Sequence, residues 1–457
     1  MRGSAVPLRT DADAVLALCA TAALAVGTTL ALAGAAGDGA TLALVGGGLA
    51  GAALVALLAA GFLRATLVVA LAAPLPALYA SGDTRVAAVA PVAAGAVLAW
   101  ALRRGMDRAP LRAGLLPRRA LLALLGAFLL ATLFADDVLL SARETLNFLV
   151  LAGLLVVCTD ELAEHPGLGR ALVDLLVAAG GVCGALAVLQ MVGTIPSDFP
   201  RWGTPFHRAD LGFGQPNGLG LFLATVLPLG VYRLSASRGL TRLADAAAVG
   251  AIGLGVVATF SRASWVAVVA AVAALALVGR GRLALRIGGA LAVGALLVEV
   301  GSGGMLSDTF TRTLGDWVVE QRAALFLAAV QMFLAHPVLG VGPGGFADQV
   351  EGYAAQVTRL WDYQDTPHNA FVQMAAETGI VGLIAFAAFL GVCFVVLLRQ
   401  ARRPGPTRER GLRLALFCSF VTLGVASFGI WPFAHGTGEV VMLLLALGFS
   451  RIRVEDA

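Results

Sequence analysis

Charge is the scarcest property of this sequence. Only 13% of its 457 residues are charged, where an ordinary soluble protein carries roughly 25%, so a fully wetted surface cannot be built from it. Disorder needs few apolar residues and high net charge, whereas hydrophobic residues here reach 59%. Lysine is absent: all 32 basic residues are arginine, against 28 acidic ones. The resulting net charge of +4 does not argue for nucleic acid as a partner. Five cysteines (Cys19, Cys158, Cys183, Cys393, Cys418) lie in or beside apolar runs without CxxC spacing, which indicates neither a disulfide framework nor a zinc site. Also missing are a GxxxxGK(S/T) loop, an HExxH helix, a paired His/Cys ligand spacing and a GxSxG elbow. ATP-driven transport and zinc hydrolysis therefore have no support.

What is present is long apolar sequence rich in small residues, including 56 glycines, the composition of helices packed closely in lipid. We read an all-α polytopic membrane protein. Its apolar runs lie near 13–33, 41–62, 65–80, 86–102, 119–133, 145–158, 171–191, 218–233, 245–260, 264–279, 284–300, 370–398, 411–428 and 437–450. Some are short for a bilayer that needs roughly 20 residues, so about twelve true crossings are expected, with fourteen as the alternative. Either even number puts both termini on one side. The first run, at about 20 residues, is long for a secretory signal and is kept as a helix. Assigning loops to alternate sides places 24 arginines with the termini and eight opposite. By the positive-inside rule both termini are cytoplasmic and the longest loop, 301–367, faces outward. The chain then divides into a helix bundle at 1–300 with an outer loop at 192–217, the outer loop 301–367, and C-terminal membrane helices at 368–457. Within the long loop, Glu320 to Phe333 reads as a helix apolar on several faces, too short to cross and placed at the outer surface over a cavity.

The outward arginines are Arg85, Arg143, Arg201, Arg208, Arg262, Arg312, Arg322 and Arg359. The apolar stretch 246–279 is roughly 50 Å as one helix, longer than a bilayer of about 30 Å. It must fold back as a tight hairpin or break, with Arg262 at the tip of Thr259-Phe260-Ser261-Arg262-Ala263-Ser264-Trp265; a snorkelling Arg beside an interfacial Trp is the bland alternative. Arg201 lies in an ordered, proline-bearing outer loop with Trp202, and His207 and Arg208 follow it. In Asp365-Thr366-Pro367-His368-Asn369, Thr366 or Asp365 serves as N-cap and Pro367 as the first helical residue, so His368 falls in the first turn. The positive end of the helix dipole there favours a neutral imidazole, the form a general base needs; capping is the competing role. Asp136-Asp137 is the one adjacent carboxylate pair on the outer side and lacks a partner cluster. Beyond these, the helices carry Glu299, Gln190, Gln373 and Glu377, all close to outer ends. Outward guanidiniums with one imidazole suit a diphosphate-bearing lipid, since Arg binds phosphate bidentately.

At these residues the sequence resembles the O-antigen ligase family, which includes O-antigen polymerases and protein O-oligosaccharyltransferases. The carriers are RWGTPFHRADLGFGQPN (201–217), the Ser261-Arg262 hairpin, RAALFLAAVQMFLAHPVLGVGPGGF (322–346) and TPHNAFVQMAAETGIVG (366–382). The resemblance implies a GT-C-like glycosyltransferase with a long helical periplasmic loop, in a bacterial inner membrane, its active site facing the periplasm. The implied donor is undecaprenyl-pyrophosphate-linked glycan and the acceptor lipid A–core, with no cofactor and no metal. Arg201 and Arg262 look like the pyrophosphate-binding arginines and His368 like the base. Arg322, Arg208 and Asn369 join the candidate site. An O-antigen polymerase or protein O-oligosaccharyltransferase would share the donor site. A lipid-linked glycan flippase is the rival from another class, but it should line its pathway with charge at membrane depth.

Overall fold

A computed structural model describes residues 78–81, 84–87, 94, 97, 100–101, 114–164, 166–197, 199, 205–211, 213, 215–312, 316–353, 366–433 and 437–450. The chain forms two compact units, Met1–Leu111 and Arg112–Ala457. In the first, β1 (Leu78–Ser81) and β2 (Thr84–Ala87) form an antiparallel hairpin with Leu78 opposite Ala87. It occupies the end of the span expected at 65–80 and the start of that at 86–102. The runs expected at 13–33 and 41–62 lie outside the described residues.

From Arg118 onward every described element is a helix, and each of the ten remaining apolar runs falls on one. These are α1 (Arg118–Leu133), α2 (Val138–Glu164), α3 (Pro166–Met191), α4 (Pro216–Ala236), α5 (Gly239–Ala258), α6 (Arg262–Leu277), α7 (Gly281–Gly301), α8 (Met305–Arg312), α9 (Asp316–Ala335), α10 (Gly345–Tyr353), α11 (Ala370–Arg402), α12 (Thr407–Ala426) and α13 (Thr437–Phe449). Six of them (α2, α3, α4, α5, α7 and α11) are long and apolar enough to cross a membrane.

Small residues set the packing. Gly184 of α3 faces α5 so closely that a Cβ there would overlap the Ala251 carbonyl, and one on Gly255 would lie 2.6 Å from the Gly184 Cα. The two backbones touch where any larger residue would hold them apart. Helix α4 lies between α3, α5 and α12, with its first two-thirds almost wholly buried. At the opposite end from the loops discussed below, Arg233 of α4 pairs with Asp174 of α3 and Asp245 of α5. Those two ion pairs tie three helices where their polar ends meet.

Helix α9 differs from its expectation. It runs for 20 residues rather than 14, and it buries one face, not several. Leu325, Ala328, Ala329 and Met332 pack on Val341, Phe346, Val350 and Ala376, an i, i+3, i+4, i+7 stripe. Phe326, Leu327 and Leu334 stay exposed. The helix therefore lies alongside the start of α11 as well as on its own loop.

Candidate active site

Segments that loop alternation assigns to the outer side do meet at one end of the bundle. The two ends of 192–217 are tied back by Gln190, which donates to the Pro196 carbonyl (2.8 Å) and Asp210 Oδ1 (2.9 Å) and accepts from the Asp210 and Leu211 N–H groups. Glu299 accepts the Leu306 N–H at 2.7 Å and caps α8. Each of these polar residues near a helix end thus satisfies a backbone turn rather than lining a path through the bundle.

The α5–α6 hairpin forms, as the length argument allows. Phe260 takes a left-handed φ of +51° at the turn, and Trp265 Nε1 donates to the Val256 carbonyl at 3.0 Å, closing it. Arg262 is the first residue of α6 and is half-buried. Arg208 reaches this tip: its Nε donates to the Thr259 carbonyl (3.2 Å) and its Nη2 to Asn217 Oδ1 (3.3 Å). It thereby joins the hairpin to the first turn of α4, and Gly220 of α4 leaves room for Thr259 and Ser264. Arg201 lies outside the described residues.

Arg322, in α9, stands near enough to Arg262 for the two charges to repel. Burial first, and that repulsion second, lower its guanidinium below the usual arginine range. Among the described residues no carboxylate pairs with either arginine.

His368 is close by but not in the first turn of a helix. Asn369 is the N-cap of α11, its Oδ1 accepting from the Phe371 (3.0 Å) and Val372 (3.2 Å) N–H groups. Asn is a strong N-cap, and its use pushes Pro367 and His368 outside the helix. His368 takes a left-handed φ of +55°, which costs a residue with a Cβ. Its half-buried side chain lines a narrow cavity with Gln215, Gly218, Thr366, Trp431 and Thr437. The α12–α13 connection completes the grouping, since Gly429 abuts Ala263 beside Arg262 and the Phe428 carbonyl accepts from Asn369.

Helix α11 is broken at Gly379 (φ +62°, ψ −163°). Into the break runs the segment 336–346. Val341 N–H donates to the Ala376 carbonyl and Gly342 N–H to that of Glu377, each at 2.9 Å, while the Ile380 N–H donates to Pro337 O, also 2.9 Å. The same segment rests on the α1–α2 corner, where Gly342 lies against Ala135 and Ser141. Asp137 caps α2 through the Leu140 N–H (2.9 Å) and Asp136 accepts from Gln349 (3.2 Å), so the carboxylate pair is divided between two tasks. Among the described residues no three His, Cys, Asp or Glu side chains gather where a metal ion could be held.

The structure thus brings Arg262, Arg322, Arg208, His368 and Asn369 to one end of the bundle. Sequence reasoning missed the roles of Thr366, Gln373 and Glu377, which link His368 to the inserted segment. The available signal was a carboxylate inside an apolar helix. No curated protein matches the chain. Residues 247–387, from α5 through the broken α11 and including Arg262, Arg322 and His368, match the protein-family profile described as O-antigen ligase, so the chain carries an O-antigen ligase family domain.

Proposed function

We propose that this protein is an O-antigen ligase. It transfers O-antigen polysaccharide from undecaprenyl pyrophosphate to lipid A–core oligosaccharide at the periplasmic face of the bacterial inner membrane, with both termini cytoplasmic. The observation that carries this reading is that Arg262 and Arg322 come near enough for their charges to repel, both half-buried and without a carboxylate partner among the described residues. A diphosphate between them turns mutual repulsion into two charge-assisted, bidentate contacts. The resemblance adds Arg201, which lies outside the described residues, as a further phosphate-binding arginine.

In the proposed reaction His368 takes the proton of an acceptor sugar hydroxyl. The hydroxyl oxygen bonds to the anomeric carbon from the face opposite the carrier, and the bond from that carbon to the phosphate oxygen breaks. Undecaprenyl pyrophosphate leaves with the electron pair, and configuration inverts. The guanidiniums stabilise the charge growing on the leaving group, the role electrostatic preorganisation plays in many transferases.

The test is gel analysis of reactions with lipid-linked glycan, with and without lipid A–core. A ligase gives lipid A–core products with the donor's chain-length distribution. Longer lipid-linked chains formed without that acceptor would show a polymerase instead.

A further inference from the structure

A chain of side-chain hydrogen bonds runs from the strained residue His368 into the broken helix. The His368 N–H donates to Thr366 Oγ1 (3.2 Å), Thr366 Oγ1 donates to Gln373 Oε1 (2.9 Å), and Gln373 Nε2 donates to Glu377 Oε1 (3.3 Å). Thr366, Gln373 and Glu377 are all buried. The Glu377 backbone carbonyl in turn accepts the Gly342 N–H at 2.9 Å, from the segment inserted at the break.

The direction of this chain is set at its far end. There the Glu377 carboxylate accepts from Gln373 Nε2. With Gln373 Nε2 held there, its Oε1 must face Thr366. The Thr366 hydroxyl then gives its proton to Gln373 and keeps its lone pairs for the His368 N–H. On the other flank, Asn369 is fixed by its cap and by Phe428. His368 is thereby clamped in a left-handed backbone that it would otherwise leave.

We propose that Glu377 is a positioning residue for His368, acting through Gln373 and Thr366, so that packing of the 340–346 segment into the helix break sets the aim of the imidazole. This rests on the reading of His368 as the base. It adds a requirement that the reading alone does not make, namely that a carboxylate remote from the acceptor controls turnover.

The experiment is a double-mutant cycle on the full-length protein in detergent, assayed with lipid-linked glycan and lipid A–core. Thr366→Val removes the hydroxyl link while nearly conserving volume. Glu377→Leu removes the acceptor that holds Gln373 Nε2. Each should lower kcat about tenfold or more, the scale of one lost buried hydrogen bond, while the donor KM stays within about twofold. The double variant should be little slower than the worse single one, because both cut one chain. A purely structural Glu377 predicts additive losses, with the thermal midpoint falling in step with kcat, or a donor KM that rises with kcat unchanged. Either result overturns the proposal. His368→Ala, run in parallel, separates the two claims. If it stays active, the base assignment falls and the proposal with it, whereas an inactive His368→Ala beside an additive cycle sinks the positioning role alone.

Discussion

Replacing Gly379 by Ala offers the sharpest check on the way α11 and the long loop are joined. Its backbone (φ +62°, ψ −163°) lies in a region essentially restricted to glycine. An added Cβ would also overlap the Val338 carbonyl and the Leu339 nitrogen. The dihedral strain alone is of order 1–3 kcal/mol. Relief by movement would sacrifice the bonds Val341 N–Ala376 O, Gly342 N–Glu377 O and Ile380 N–Pro337 O, each contributing about 0.5–1.5 kcal/mol. A destabilisation of about 3 kcal/mol follows, the strain and the lost bonds being partly alternative. Thermal unfolding in detergent, followed by size-exclusion fluorescence, should show the midpoint falling by on the order of 5 °C or more, with transfer lost. Gly391 in the same helix is the control. A Cβ there meets nothing within 4 Å, so Gly391→Ala should be neutral or slightly stabilising. An unchanged midpoint and full transfer in Gly379→Ala would refute the inserted-segment geometry.

Arg262→Ala, Arg322→Ala and Arg201→Ala should each reduce transfer at least tenfold with the protein still folded, and Lys should rescue poorly because an ammonium cannot fork onto two oxygens; near-normal rates in all three Ala variants would end the clamp idea. His368→Ala should abolish transfer yet leave lipid-donor binding nearly intact, and parallel loss of binding would make it a ligand instead. Since a base works only when neutral, the wild-type rate should hold above the ordinary imidazole range, near pH 6–7, and fall as the medium is acidified through it; a flat profile would count against His368. Transfer by purified protein should survive excess EDTA, because arginines supply the positive charge and Asp136 and Asp137 are engaged separately. Loss on chelation, restored by magnesium, would reopen a role for those carboxylates.

Much of the architecture was legible in the residue pattern because lipid imposes a simple rule: each span must satisfy its own backbone, and therefore appears as an apolar run of predictable length. That logic located ten of the thirteen described helices between 118 and 450 and required a fold-back or a break within 246–279. The same logic misjudged local detail. His368 was expected in a first turn, but cap choice is a competition between neighbouring side chains, and Asn369 wins it. Helix α9 was expected to bury several faces, because an apolar count cannot say how many neighbours a helix has.

The sequence by itself determined that the chain is a helical membrane protein, which ends of its helices gather, and which residues resemble a ligase site. Composition and spacing along the chain carry that information directly. Only the tertiary structure decided that Arg322 comes within range of the charge on Arg262 across 60 positions of sequence, that the segment 336–346 enters a broken helix, and that Glu377 is linked to His368 through Gln373 and Thr366. Those facts depend on where separate segments meet in space. A glycine such as Gly340 or Gly379 reads in sequence as mere permissiveness, whereas in the fold it is the point where two backbones come into hydrogen-bonding contact.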